Sequence, residues 1–363
     1  MSLDRSVLES YLTRWSGTPV TITRVSTLGG AEGAAAIKAF GYGKPLCIDY
    51  QLAETPRESR RVVLRQVNRN GFGRERDSDR VAEVWLDYGT FNLLPRHVRA
   101  CDLVALTRAG SLESAGHLRD LLLLTDYAPG RPYADDLLRI RDTGETTELD
   151  RRRAIALATY LAEIHGVSHE DPLLWRRRLR DLVGHGEGIM GLCDSYPLDF
   201  ALATPDELRA IEDAANAWRW RLKPLAHRLR QVHGDFHPFN VLFEAGDQFT
   251  VIDRSRGAWG EPADDVSCMT INYLFFSLQR AESLAPPFDA LYESFWTTYL
   301  SHRPDAELCG VIQPWFAWRA LVLASPQWYP TLSDATRQTL LRFARTVLTI
   351  DAFDWRDING YLQ

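Results

Sequence analysis

Asp235, Asn240 and Asp253 are the residues of this 363-residue chain whose types and spacing best suit chemistry. Asp235 and Asn240 lie five residues apart, so one loop offers a carboxylate base and an amide oxygen. The short apolar runs 241–243 and 250–252, separated by a polar stretch, predict a hairpin. That hairpin would return Asp253 to the side of Asn240. Because oxygen atoms are the ligands that Mg²⁺ prefers, the pattern predicts a base beside a magnesium site.

Three motifs, in order along the chain, carry a family resemblance. The stretch His233-Gly-Asp-Phe-His-Pro-Phe-Asn240 resembles the catalytic loop of the aminoglycoside phosphotransferase and choline kinase group, within the protein-kinase-like superfamily. Ile252-Asp253 resembles the metal-binding segment of that group, and Gly260-Glu-Pro-Ala-Asp-Asp265 resembles the element after it, whose last aspartate braces the catalytic loop. Taken singly, Asp235 would only cap a turn and Asp253 would only end a strand. Three motifs in register within about thirty residues favour the resemblance.

The resemblance implies an α+β, bilobal, protein-kinase-like fold. Residues 1–126 would form an N-terminal nucleotide-binding lobe with an antiparallel sheet and one helix. Residues 127–363 would form a larger, mainly helical C-terminal lobe for catalysis and acceptor binding. The residues themselves also predict elements by apolar spacing and by a capping box. These are helices over 3–15, 77–88, 150–165 and from 204 toward 222, and strands over 20–25 and 61–67.

The function implied by the resemblance is Mg²⁺-dependent transfer of the γ-phosphoryl group of ATP, or GTP, to a hydroxyl of an aminoglycoside-like or other small metabolite. Asp235 would be the catalytic base, and Asn240 and Asp253 would hold the metal. The alternative is a catalytically silent, kinase-like protein that binds nucleotide and regulates a partner. The intact set of Asp235, Asn240 and Asp253 argues against this alternative. Arg65, which stands where kinases usually carry a lysine, favours it.

Further nucleotide-binding residues are implied by their position ahead of the catalytic loop. A glycine-rich turn after strand 20–25 would let backbone N–H groups approach phosphates; its glycines are Gly29, Gly30 and Gly33. Arg65 would point inward from strand 61–67, grip phosphate oxygens and pair with Glu83 on helix 77–88. The plainer interpretations are hairpin glycines, an arginine on a solvent-facing edge and a solvated glutamate.

The stretch 119–130 contains four consecutive leucines and ends in Pro-Gly, which predicts a buried strand running into a turn. It resembles the hinge of aminoglycoside phosphotransferase-like kinases. The resemblance implies that the backbone of Asp126, Tyr127 and Ala128 hydrogen-bonds the purine base. Because backbone contacts leave no side-chain signature, ATP and GTP both stay open.

Composition argues against several other classes of protein. With 45% hydrophobic and 25% charged residues the chain is expected to be globular, and its net charge of -6 argues against nucleic acid as a partner. The five cysteines form no C-x-x-C pair, as expected for reduced thiols. The charged N-terminal stretch does not resemble a signal peptide, and no apolar run is long enough for a membrane span. We therefore expect a cytoplasmic protein with no membrane partner.

Two features bear on the acceptor, and they point in different directions. Of the 42 basic and 48 acidic residues, 25 and 34 lie beyond residue 124, and this net charge of -9 suits cationic acceptors. Arg254 and Arg256, by contrast, depart from the family pattern after Asp253. They could contact phosphate or an anionic substrate, or face solvent. Residues 168–200, whose helical pattern is interrupted by Gly184, Gly186, Gly188 and Gly191, could be an insertion over the acceptor site.

Overall fold

The computed structural model describes residues 3–28, 45–93 and 95–363. The chain divides into two compact units, Met1–Thr125 and Asp126–Gln363. Both contain helices and small antiparallel sheets, and the long helices are concentrated in the second unit. The predicted α+β class is therefore confirmed. No helix in the described part of the chain is both long and apolar enough to cross a membrane.

The first unit is built on a three-stranded antiparallel sheet in the order β1-β2-β3. Its elements are α1 (Arg5–Ser16), β1 (Val20–Thr27), β2 (Leu46–Leu52), β3 (Arg60–Leu64), α2 (Asp77–Thr90), β4 (Val104–Leu106) and β5 (Leu112–Ser114). Leu8, Tyr11 and Leu12 lie at helical spacing on α1 and are buried with apolar residues of the sheet. The predicted helices and strands of this unit are confirmed with shifted ends, and β2, β4 and β5 are additional strands.

The leucine-rich stretch 119–130 corrects one prediction, because it is neither buried nor a strand. Leu122, Leu123 and Leu124 are each at least 90% exposed. A strand needs a hydrogen-bonded neighbour, which an apolar run cannot supply by itself. Here the Asp120 carboxylate accepts the Leu121 N–H at 2.8 Å, a local bond that competes with strand pairing. The boundary between the two compact units falls in this stretch.

The second unit is a mainly helical body around one fully buried helix. Its helices are α3 (Tyr133–Thr143), α4 (Glu148–Ile164), α5 (Pro172–Gly184), α6 (Ile189–Ser195), α7 (Pro205–Leu222), α8 (Pro262–Leu278), α9 (Phe288–His302), α10 (Leu308–Val311), α11 (Gln313–Ala324) and α12 (Asp334–Thr349). Every residue of α8 is buried, as expected for a helix that is apolar on all sides. α9 and α11 pack against α8. The predicted start of α7 is confirmed, because Thr204 and Glu207 form a complete capping box.

Two small sheets in the second unit position the loop that carries Asp235 and Asn240. Their strands are β6 (Arg131–Pro132), β7 (Arg230–Gln231), β8 (Val241–Phe243), β9 (Phe249–Val251) and β10 (Trp259–Gly260). β8 and β9 form the predicted hairpin, with Val241 opposite Val251, and β6 pairs with the other edge of β8. β7 pairs with β10, so both ends of the catalytic segment are fixed to strands.

Arg228, which lies just before β7, is the centre of a buried ion network. Through this network Arg228 is linked to the residue before α8 and to the segment after α9. Its guanidinium donates to both oxygens of Glu261, at 2.9 and 2.5 Å, and to both oxygens of Asp305, at 2.9 and 3.0 Å. Glu261 is the residue before α8 and Asp305 follows α9. Burial raises the pKa of Asp305, but its bonds to Arg228 and Arg303 outweigh burial and hold that pKa below its ordinary value.

We expect Arg228→Met to lower the free energy of unfolding at pH 7 by about 3 kcal/mol, because it leaves the Glu261 carboxylate buried without its arginine and leaves Asp305 with Arg303 alone among the described residues. A carboxyl whose pKa is lowered on folding stabilises the protein above its unfolded value of 3.8 and loses that contribution as pH falls. The difference between wild type and variant should therefore shrink below about pH 4. Urea unfolding at pH 7 and pH 3 measures it. Arg209→Met, which removes an exposed pair with Asp206, is the control; equal losses in both variants would contradict the assignment.

Candidate active site

The catalytic loop is shaped by a glycine and a short 3₁₀ helix. Gly234 has a φ of 87°, a left-handed conformation that glycine adopts without strain. His237 then caps the 3₁₀ helix over Pro238–Asn240, its Nδ1 accepting the Phe239 N–H at 3.2 Å. The turn at Gly234 and the helix after it place Asp235 and Asn240 at opposite ends of one compact loop.

Asp265, in the first turn of α8, holds the backbone of this loop with its carboxylate. Its two oxygens accept the N–H groups of His233 and Gly234, both at 2.7 Å. The same carboxylate contacts His165 Nε2 at 3.1 Å, and His165 Nδ1 lies 2.9 Å from the Tyr299 hydroxyl. All of these side chains are buried. The contacts fit the bracing role that the resemblance implies for Asp265, and they give His165 a structural role beside it.

Asn240 and Asp253 are brought together by the hairpin. The Ile252 N–H donates to the Asn240 carbonyl at 3.0 Å, so Asp253 directly follows the residue bonded to Asn240. His233 strengthens this link, since its Nε2 lies 2.9 Å from the Ile252 carbonyl. Asp253 has a φ of 59°, and such strained residues cluster at functional sites.

The donor atoms at this position fit a hard divalent cation. Asn240 Nδ2 donates to the Asp235 carbonyl at 3.1 Å, which leaves its amide oxygen available. Within the described residues, the Asp253 carboxylate has no hydrogen-bond or ion-pair partner. No group of three or more His, Cys, Asp or Glu that could hold a metal is found among those residues. Two protein oxygens alone suit Mg²⁺, which is usually held by one or two carboxylates together with substrate phosphates.

The two oxygens of Asp235 are in different environments. Oδ1 accepts a hydrogen bond of 2.7 Å from Arg319 Nη1. Oδ2 faces Arg256 Nη2 at 3.6 Å and His237 Nε2 at 3.7 Å, both beyond hydrogen-bonding distance. One oxygen is therefore fixed and the other is available to accept a hydrogen bond.

The charges around Asp235 set its protonation. Burial raises the pKa of this carboxyl, but the nearby Arg319, Arg256 and His237 outweigh burial, and the pKa lies below its ordinary value. Burial also lowers the pKa of His237, against the opposing effect of Asp235. At neutral pH the site therefore holds an ionised aspartate beside a neutral imidazole.

In the first unit, Arg65 and Glu83 form the ion pair expected from the sequence, with Nη2 and Oε1 3.3 Å apart. Arg65 also pairs with Asp87 at 3.3 Å, and Glu83 binds Arg74 as well. Arg65 lies one residue beyond the end of β3, and its side chain is 44% exposed. The strand predicted over 61–67 therefore ends earlier than expected, and the inward orientation of Arg65 stays a prediction.

The family model of the phosphotransferase enzyme family, APH, matches residues 57–305, more than half of the chain. The chain belongs to this phosphotransferase family. The family and the enzyme class predicted from the sequence, a phosphotransferase with an alcohol group as acceptor, are thereby confirmed. The predicted kinase-like fold, with a sheet-containing N-terminal unit and a larger helical unit, is confirmed with them.

Several solved structures are similar to the phosphotransferase at low identity. An amicoumacin kinase in complex with AMP-PNP and Ca²⁺ is 16% identical, over 92% of this chain and 91% of that chain, with a TM-score of 0.42. A macrolide 2′-phosphotransferase from Brachybacterium faecium is 16% identical, over 96% and 100%, with a TM-score of 0.30. A choline kinase from Streptococcus pneumoniae is 11% identical, over 94% and 98%, with a TM-score of 0.36. No curated protein matches the chain significantly.

Arg319 belongs to this site in the phosphotransferase, but no sequence pattern predicted it. It lies in α11, 84 residues after Asp235, and its side chain is 6% exposed. Besides Asp235 it binds the Gly234 carbonyl at 3.2 Å and the buried Asp264 carboxylate at 2.5 Å. A single charged residue in an otherwise apolar helix could have indicated Arg319, because a buried charge requires a partner of opposite charge.

The two arginines after Asp253 have different surroundings. Arg254 donates to the Val232 carbonyl at 3.0 and 2.7 Å and to the Ala258 carbonyl at 3.1 Å, so it holds the loop backbone. Arg256 turns toward Asp235 and also pairs with Glu187 at 3.4 Å. The segment predicted to lie over the acceptor site thus reaches this arginine through Glu187.

Two sets of predicted nucleotide contacts stay predictions. Gly29, Gly30 and Gly33 lie outside the described residues. Asp126 and Tyr127 are exposed and Ala128 is half-buried, all in a segment without regular secondary structure. Their backbone groups are therefore not committed to a strand.

Proposed function

We propose that the protein transfers the γ-phosphoryl group of ATP, or GTP, to a hydroxyl of a small molecule, with Asp235 as the catalytic base. The single observation that carries this proposal is the asymmetry of Asp235. Arg319 fixes one oxygen, and the other accepts no hydrogen bond from the described residues and faces Arg256 and His237. The backbone carbonyl of the same aspartate accepts a hydrogen bond from the Asn240 side chain. A turn-capping aspartate would need no such support from a helix 84 residues away.

In the reaction, the acceptor hydroxyl donates its hydrogen bond to Asp235 Oδ2. The acceptor oxygen forms a bond to the γ-phosphorus as the bond from that phosphorus to the bridging oxygen breaks, releasing the nucleoside diphosphate. Asp235 takes the hydroxyl proton. Since the transition state of such transfers is loose, positioning and electrostatic stabilisation supply most of the catalysis.

Mg²⁺ would neutralise charge on the phosphates, held by the Asn240 amide oxygen and the Asp253 carboxylate. Arg65, oriented by Glu83 and Asp87, would bind phosphate oxygens with its guanidinium. The intact set of Asp235, Asn240 and Asp253 disfavours a catalytically silent nucleotide-binding regulator. Soluble small molecules are the proposed partners, together with the nucleotide.

The first experiment measures Mg²⁺-dependent ADP or GDP release against aminoglycosides, amino alcohols, sugars and hydroxy acids. Acceptor-stimulated release that depends on Mg²⁺ is the expected result. Tight nucleotide binding without stimulation by any compound would favour the silent regulator.

We expect Asp253→Asn to reduce turnover by at least about 10²-fold, because it removes the anionic metal ligand. Raising Mg²⁺ should restore part of the activity. Asp247→Asn, in the turn between β8 and β9, is the matched control and should retain wild-type turnover. An Asp253→Asn enzyme with wild-type kcat and Mg²⁺ dependence would remove this residue from the metal site.

A further inference from the structure

Arg256, Glu187 and Trp318 form a cluster beside the open oxygen of Asp235, which we call the Arg256 cluster. The Arg256 guanidinium lies over the Trp318 indole, 4.6 Å from the ring centroid. Trp318 is itself held by a 2.7 Å hydrogen bond from its Nε1 to the Glu187 carbonyl. The aromatic ring, itself held by the Glu187 backbone, therefore supports the guanidinium close to Asp235 Oδ2.

The guanidinium of Arg256 is largely desolvated but poorly partnered. Its side chain is 19% exposed, and its Nε is buried without a hydrogen-bond partner. Its nearest carboxylate oxygens, on Glu187 and Asp235, lie at 3.4 and 3.6 Å. Among the described residues no hydrogen bond from this guanidinium is formed. A preorganised guanidinium with unused donors is suited to a carboxylate or phosphate oxygen.

Glu187 is the partner that a ligand can replace. Its carboxylate is 58% exposed and pairs with Arg256 alone among the described residues. Its 3.4 Å contact with Arg256 forms no hydrogen bond, and its carboxylate is already largely in solvent, so little stability is lost when the contact breaks. Exchanging Glu187 for an anionic group of a ligand would therefore cost little and would complete the hydrogen bonds of Arg256.

The charges at this point disfavour a cationic group next to the reacting hydroxyl. An ammonium close to Asp235 Oδ2 would lie near the Arg256 guanidinium, and Arg319 binds the other oxygen of the same carboxylate. Like charges at such distances repel strongly where water is excluded. The net negative charge beyond residue 124 therefore does not predict the sign of the charges next to Asp235 Oδ2.

We propose that Arg256 binds a carboxylate or phosphate group of the acceptor, so that the acceptors are short anionic hydroxy compounds. Since Arg256 Nη2 lies 3.6 Å from Asp235 Oδ2, the anionic group sits within a few bonds of the phosphorylated hydroxyl. This inference rests on the proposed function and names the acceptor class of the same site.

The test compares matched acceptors that differ in charge. Glycerate, glycerol and 3-amino-1,2-propanediol form one set, and gluconate, glucose and glucosamine the other; nucleoside diphosphate release is measured with each. We expect turnover with the acids to exceed that with their neutral and cationic counterparts. A neutral or cationic compound as the better acceptor in both sets overturns the inference but leaves the kinase intact.

Variants then assign the effect to Arg256. Arg256→Gln should raise the acceptor KM by about 10- to 100-fold, the loss expected for a hydrogen bond between charged groups, and change the nucleotide KM less than about twofold. Glu187→Gln should lower the acceptor KM, because it removes the competing carboxylate. Arg219→Gln, on α7 beside Trp220, is the control. A rise confined to the nucleotide KM would assign Arg256 to the nucleotide and overturn the inference.

A binding measurement separates this inference from the kinase itself. Glycerate is titrated into wild type, Glu187→Gln and Arg256→Gln while tryptophan fluorescence is recorded, since Trp318 contacts Arg256. Saturable binding that Glu187→Gln strengthens and Arg256→Gln abolishes supports the anion site even if no compound is turned over. The absence of any glycerate-dependent change in Glu187→Gln overturns it.

Discussion

Asp235→Asn should lower kcat by about 10²- to 10⁴-fold, the range for loss of a general base, while nucleotide affinity stays near that of wild type. Asparagine keeps the oxygen that accepts the 2.7 Å bond from Arg319, so the loop should hold its conformation. What it loses is a carboxylate oxygen at the Oδ2 position that can accept a proton. Stopped-time assays of phosphorylated product and nucleotide titrations measure the two quantities separately.

The controls for this variant exclude a general effect of removing a carboxylate. Asp213→Asn, at an exposed position on α7, should leave both kcat and nucleotide affinity unchanged. Thermal unfolding checks that Asp235→Asn remains folded. Wild-type kcat in a folded Asp235→Asn protein would show that another group takes the hydroxyl proton, and the assignment of the base would be wrong.

Arg319→Leu should lower the free energy of unfolding by about 3 kcal/mol, because Asp235 loses its hydrogen-bonded arginine and the buried Asp264 is left with Arg178 alone among the described residues. Arg319 binds both Asp235 and the fully buried Asp264, and its guanidinium is the link between α11 and the catalytic loop. Folded Arg319→Leu should also lose most of its kcat, because Asp235 is no longer held in one orientation. Urea unfolding and turnover under native conditions give both numbers.

Arg319→Lys and Arg345→Leu sharpen this test. Lysine keeps the charge but cannot reach Asp235, Asp264 and the Gly234 carbonyl together, so kcat should fall more than stability does. Arg345 pairs with Glu207 at a partly exposed position, and its loss should cost no more than about 1 kcal/mol. A similar small cost for Arg319→Leu would mean that the buried carboxylates are satisfied without Arg319.

The sequence alone determined those features that depend on local spacing. Asp235 and Asn240 share one loop, and Asp253 follows a hairpin with only a few residues in each strand. Once that hairpin is predicted, the three residues are expected to lie close together. The capping box at Thr204 is likewise contained in four residues. These interactions span short distances along the chain, and the residue types are therefore sufficient to predict them.

Only the tertiary structure decided the different environments of the two Asp235 carboxylate oxygens. Arg319 and Glu187 lie 84 residues after and 48 residues before Asp235 in the sequence, and no periodicity connects such distant positions. The fold brings α11 and the turn before α6 to the catalytic loop, and this separates the two oxygens of Asp235 into a fixed one and an open one. The same reason explains the wrong prediction at 119–130, since burial and strand pairing depend on neighbours that a run of leucines cannot specify.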